Sequence, residues 1–180
     1  MPRRRHIPVA LALAAVACTA SPAALAATSP PGSSESAMMR ALVRSRELWA
    51  TIDLCSPSDQ PHYVGVRGSM PGDHRAHDKM YMSFRLQYQD ASTRRWANLS
   101  PAGPSFVFVG PGSGVRQGGR SFQLVPRSPH ERFNLRGVVE YQWRRGSKVL
   151  QATTRTTSAG HTSLAGADPP GYSSATCRIG

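Results

Sequence analysis

Met80-Tyr81-Met82-Ser83-Phe84-Arg85-Leu86-Gln87-Tyr88-Gln89 is the stretch that decides the fold. Met80, Met82, Phe84, Leu86 and Tyr88 alternate with Tyr81, Ser83, Arg85, Gln87 and Gln89. A side-chain period of two puts the first set on one face of a strand and the second on the other, whereas helical spacing would scatter both sets around an axis. The segment reads as a half-buried strand with one packed face and one wetter face.

Working outward, short extended segments separated by Gly, Pro, Ser and Asp clusters cover residues 48–55, 63–69, 105–109, 121–125, 136–143, 148–156 and 175–179. The segments 136–143 and 148–156 are joined by Arg144-Arg145-Gly146-Ser147, with a glycine placed for a positive φ, so they read as a hairpin in which Val139, Tyr141 and Trp143 share one face. Seven or eight strands at near-regular spacing predict an all-β antiparallel sandwich, with a small closed barrel as the alternative. Strand–helix alternation is absent, which argues against a parallel α/β sheet.

The first residues set the compartment. Arg3, Arg4 and Arg5 precede an apolar run over 7–20, and Ala24-Leu25-Ala26 offers a small-x-small cleavage site, so residues 1–26 read as a signal peptide. The run is shorter than the ~20 apolar residues a bilayer-spanning helix needs. Ala15-Val16-Ala17-Cys18 also resembles a loose lipobox, so lipid anchoring through Cys18 is the alternative to release after Ala26. Residues 27–46 are expected to form a Ser/Pro/Ala-rich tether. Met38, Met39, Leu42 and Val43 there lie at the spacing of a short amphipathic helix over 35–46. Residues 47–180 form the predicted sandwich domain.

The 180-residue chain carries 22 basic and 10 acidic residues, a formal charge of +12, and loss of the leader lowers that charge by three. Only Lys79 and Lys148 are lysines, so the charge is nearly all arginine. Such a surface attracts polyanions such as cell-envelope polymers, acidic glycans or extracellular nucleic acid. Duplex-reading motifs of nucleic-acid proteins are absent. Past the leader only Cys55 and Cys177 remain, and in an oxidising compartment an even pair reads as a disulfide, with two free buried thiols as the alternative.

Several stretches carry a resemblance. Leu48-Trp49-Ala50-Thr51, Cys55, Gly65-Val66-Arg67-Gly68-Ser69-Met70-Pro71-Gly72, Met80-Tyr81-Met82-Ser83-Phe84, Arg136-Gly137-Val138-Val139 with Trp143, and Ala167-Asp168-Pro169-Pro170-Gly171-Tyr172-Ser173 before Cys177 are similar to small secreted proteins of high-GC actinobacteria. The resemblance implies an exported domain with one disulfide and brings no activity or cofactor with it. The Tyr141/Trp143 strand and its hairpin also resemble immunoglobulin-like domains in a general way, which bears on architecture alone.

No catalytic constellation is complete. Asp73-His74-Arg75-Ala76-His77-Asp78 is the densest polar cluster, and His74, His77 and Asp78 have ligand chemistry for a divalent metal. The segment reads as a solvent-facing loop, with Arg75 and Lys79 opposing a cation, and it is not H-E-x-x-H. His62, His130 and His161 would have to be brought in by the fold. Ser113, in Gly110-Pro111-Gly112-Ser113-Gly114, lacks the glycines of a nucleophile elbow, and Ser69 is no better. Gly112, Gly114, Gly118 and Gly119 do not make a phosphate loop.

The remaining signal is arginine beside indole: Arg94-Arg95-Trp96 and Trp143-Arg144-Arg145. Guanidiniums bind phosphate and carboxylate through a fixed fork and stack on aromatic faces. The competing reading is a core Trp at a strand end with arginines reaching solvent. The expectation is therefore a secreted, non-catalytic binding module using Arg94, Arg95, Trp96, Trp143, Arg144 and Arg145 for an anionic polymer or an acidic protein. One alternative is a secreted metal-dependent hydrolase at His74, His77 and Asp78. The other is a protease inhibitor presenting the loop 109–117.

Overall fold

The computed structural model describes residues 31–180 apart from 101, 127, 129, 130, 162, 163 and 165. The expected leader, Cys18 and residues 27–30 lie outside the described residues, as does His130. The order is α1 (Pro31–Leu42), β1 (Trp49–Cys55), β2 (Tyr63–Met70), β3 (Arg75–Gln89), β4 (Trp96–Asn98), β5 (Phe106–Gly112), β6 (Arg116–Gln123), β7 (Phe133–Arg145), β8 (Lys148–Thr156) and β9 (Cys177–Ile179).

Two antiparallel sheets result. The smaller runs β1-β2-β6, and the larger runs β4-β3-β7-β8, with β5 also on β3 and β9 also on β7. The described residues thus form an all-β sandwich with separate sheets, not a closed barrel. The alternation in β3 does what period two requires: Met80, Met82, Phe84 and Leu86 are buried against the small sheet's Val64, Val66 and Met70. β7 supplies Leu135, Val139, Tyr141 and Trp143 to the same core. The two largest of these side chains satisfy their polar ends internally. The Tyr141 hydroxyl donates to Trp49 O at 2.6 Å, and Trp143 Nε1–H donates to Pro71 O at 2.9 Å. A Cβ at Gly68 would come within 2.7 Å of the Tyr141 hydroxyl oxygen, so the β2 backbone lies close to the β7 aromatics only because that residue has no side chain.

The Cys55–Cys177 disulfide is formed, with a Cα–Cα distance of 5.5 Å, and it ties β1 of the small sheet to β9 of the large one. No described helix is long and apolar enough to cross a membrane.

The short N-terminal helix expected over 35–46 is present but begins earlier. The helix starts at Pro31 and ends at Leu42, so it takes in much of the stretch expected to be a tether. Met39 and Leu42 are buried in the core. Glu35 accepts from Arg75 Nη1 at 2.6 Å and from Arg145 Nη2 at 2.9 Å. Arg155 Nη2 donates to Val43 O just past the helix end. These partners lie far away in sequence, and composition cannot anticipate them. β3 likewise starts at Arg75, five residues early, through an irregular register in which Arg75 pairs Gly112 but Lys79 pairs Pro111. Asp73–Asp78 is therefore mostly the entry into β3 instead of a solvent-facing loop.

Candidate functional site

Side chains directly opposite on neighbouring strands share a face. The register pairs Lys79 with Arg144, Tyr81 with Gln142 and Ser83 with Glu140 between β3 and β7. It pairs Tyr81 with Phe108 and Ser83 with Phe106 between β3 and β5. These residues belong to the outward phase of β3, so the outer face of the larger sheet gathers three aromatic rings and two cations.

The Arg144 guanidinium sits 4.3 Å over the Tyr81 ring and 5.0 Å from the Phe106 ring. Its Nε–H donates to Gln142 Oε1 at 2.7 Å, which holds the plane of the fork. Tyr81 and Phe108 are 5.6 Å apart and tilted by 57°. Lys79 Nζ lies 6.0 Å from the Phe108 ring. Phe108 is 54% exposed, well above what a lone packing role would leave. Each such cation–ring contact contributes about 0.5–1 kcal/mol at an exposed site, enough to pre-order the arginine. The result is a broad aromatic platform with positive charge along it, able to meet flat ring faces and anionic groups together.

Of the six residues expected to bind, only Arg144 belongs to this platform. Trp143 is fully buried and bonded to Pro71, because odd-numbered residues at this end of β7 face the core. Arg145 is engaged elsewhere: Nε and Nη2 each donate at 2.8 Å to the two oxygens of Asp78. Arg94 and Arg95 are exposed on the turn between β3 and β4, at the far end of β3, roughly 30 Å from Arg144 by strand rise. Trp96 is covered by Arg136, 4.3 Å from its ring. The expected single Arg/Trp surface is therefore not assembled. Tyr81, Phe106 and Phe108 were missed. Their signal was an aromatic in the polar phase of β3 and a Phe-x-Phe repeat on its neighbour.

The metal reading is also redistributed. His74 is exposed at a positive φ of 64°, and His77 points outward with Nε2 3.4 Å from Asp78 Oδ1. Asp78 has no exposed side-chain surface and is spent on Arg145. His161 stacks on Trp49 with centroids 4.4 Å apart, and His62 lies in the β1–β2 connection. Among the described residues no group of three His, Cys, Asp or Glu gathers to hold an ion. The loop proposed for protease inhibition shrinks to Ser113-Gly114-Val115 between β5 and β6, with Ser113 Oγ accepting from Arg116 Nη2 at 3.3 Å.

What the acidic cluster does contain is a buried carboxyl pair. Asp73 Oδ1 accepts from Arg75 N–H at 3.0 Å, whereas its Oδ2 is buried with no donor in reach. The neighbouring Asp78 carboxyl adds to burial in making the charged form of Asp73 costly. Arg145 is the first cause holding the Asp78 carboxyl down at about 2, while burial first, then the bond to Asp78, pushes Asp73 up. The two linkages have opposite signs. Asp78 contributes stability above its unfolded value of 3.8 that is lost as pH falls toward 2, and Asp73 costs stability as pH rises from 3.8 through its raised pKa. Asp73→Asn keeps an acceptor for Arg75 and a donor for Asp78 without the titration. The variant is expected to gain on the parent between pH 3 and pH 7 in urea unfolding; a gap that stays flat or narrows with rising pH contradicts a raised Asp73 carboxyl.

No protein-family model matches the sequence, and no curated protein matches it.

Proposed function

We propose that this chain is a secreted, non-catalytic binding module that grips an anionic, ring-built polymer, an acidic glycan, across the outer face of its larger sheet. The observation that carries the reading is Arg144 stacked between Tyr81 and Phe106, beside the exposed Phe108 and Lys79. Sugar rings lie against aromatic faces, and carboxylates or sulfates take the guanidinium fork, so the platform suits a polymer with both. The net positive charge, +12 for the full chain and three less without the leader, adds long-range attraction. Export is supported by the leader pattern of residues 1–26 and by the disulfide between Cys55 and Cys177. The likeness to secreted actinobacterial proteins and to immunoglobulin-like layering belongs to the same reading.

Immobilised polygalacturonate tests it. Arg144→Ala and Phe108→Ala are each expected to weaken binding roughly five- to tenfold, given the size of cation–ring and aromatic contacts. Affinity should fall as salt is raised. Arg94→Ala/Arg95→Ala, remote from the platform, serves as the control that leaves the ring-dependent part intact. Binding that ignores Phe108→Ala but tracks every arginine equally would reduce the platform to nonspecific charge.

A further inference from the structure

The outer edge of β3 is shared by two strands that do not meet. β5 pairs with β3 only as far as Ser83–Phe106, and β4 pairs from Gln87–Asn98 onward. Leu99 N–H closes the lower side of the gap by donating to Leu86 O at 3.0 Å. A cavity of about 330 Å³ lies here, lined on one side by Leu99, Ser100 and Ala102 to Ser105. Phe84, Leu86 and Phe122 give it apolar walls, and Arg85 and Arg120 are its charged lining residues, with no carboxylate among them.

Both arginines have unspent capacity. Arg120 lies over the Phe122 ring at 5.4 Å. Arg85 gives Nη1 to Glu140, yet its Nε is buried without a partner. A buried donor left unpaired is costly, and an incoming anion is the group that would relieve it. The volume is at the small end of ligand sites, enough for one ring and a charged group.

We infer that this cavity binds a small carboxylate with a flat apolar body, the ring seated against Phe84 and Phe122 and the carboxylate held by Arg85 and Arg120. The site is independent of the glycan reading, since neither Arg144 nor Phe108 lines it.

The probe is 3-phenylpropionate, titrated into isotope-labelled protein with the amide and guanidinium signals followed by NMR. Saturable shifts are expected at Leu86, Leu99, Phe122 and the Arg85 Nε–H, with a dissociation constant on the order of 1 mM for a ligand of this size. The neutral isostere 3-phenylpropanol should bind about tenfold more weakly, and Arg120→Gln should weaken the acid by a similar factor, as loss of one charge-assisted contact requires. Arg120 is exposed, so an unchanged melting temperature separates lost binding from lost fold. Phe108→Ala should leave the titration as it was. Equal binding of acid and alcohol, full binding by Arg120→Gln, or shifts confined to the platform would each overturn the site.

Discussion

Replacing Cys55 and Cys177 together by alanine is expected to remove about 5 kcal/mol of stability. The bridge spans a sequence separation of 122 residues, nearly the whole described body. In the chain-entropy model, opening a loop of that size returns its closure entropy to the unfolded chain, which is where the stabilisation resides. Placement adds to the effect. β9 is three residues long and pairs only with the start of β7, so the sulfur link is a main anchor between the last strand and the small sheet. Native domains hold only about 5–15 kcal/mol in total, so the double variant should sit near the edge of folding at 37 °C. Urea unfolding measures it, and the slope with denaturant should steepen as the unlinked chain expands. A loss below about 1 kcal/mol would place the stabilisation elsewhere.

Trp143→Ala should cost about 3–5 kcal/mol, the range for deleting a buried aromatic. The indole has no exposed surface, and its loss opens a void against Met80, which pairs with it across the β3–β7 ladder. It also leaves Pro71 O without its donor. Trp143→Phe separates the two effects: the ring volume is largely kept, and the missing bond alone should cost about 1–3 kcal/mol. Because the side chain faces inward, the folded Phe variant should bind polygalacturonate as the parent does. Loss of binding in that variant, with its melting transition still cooperative, would return the indole to the binding surface.

The contrast between Trp143 and Arg144 marks how far sequence reading reaches. Alternation along 80–89 and 136–143 identified the strands and the buried set, because period two is a local property. β6 and β4 were misjudged for a physical reason. Arg116-Gln117-Gly118-Gly119-Arg120 has no apolar alternation, yet it pairs residue for residue with β2, so its strand character comes from the neighbour's ladder. Trp96–Asn98 is too short to show a period and exists through three pairs with β3. The candidate site was legible only as ingredients. Arginine beside an aromatic does occur, but which aromatic depends on register, and register brought Tyr81 and Phe106 to Arg144 while turning Trp143 inward. Asp78 illustrates the same limit: the hexapeptide suggests a ligand set, and only the fold reveals that Arg145 occupies it.

The helix α1 carries a consequence for proteolysis. Its Met39 and Leu42 plug the edge of the apolar interior, and Glu35 is the hook that holds it to Arg75 and Arg145. Proteolytic trimming that stops ahead of Glu35 leaves the plug seated. Trimming that passes Glu35 removes the hook, leaves Arg75 without this counter-ion and Arg145 with Asp78 alone, and loosens the hold on the turn that seats Met39 and Leu42.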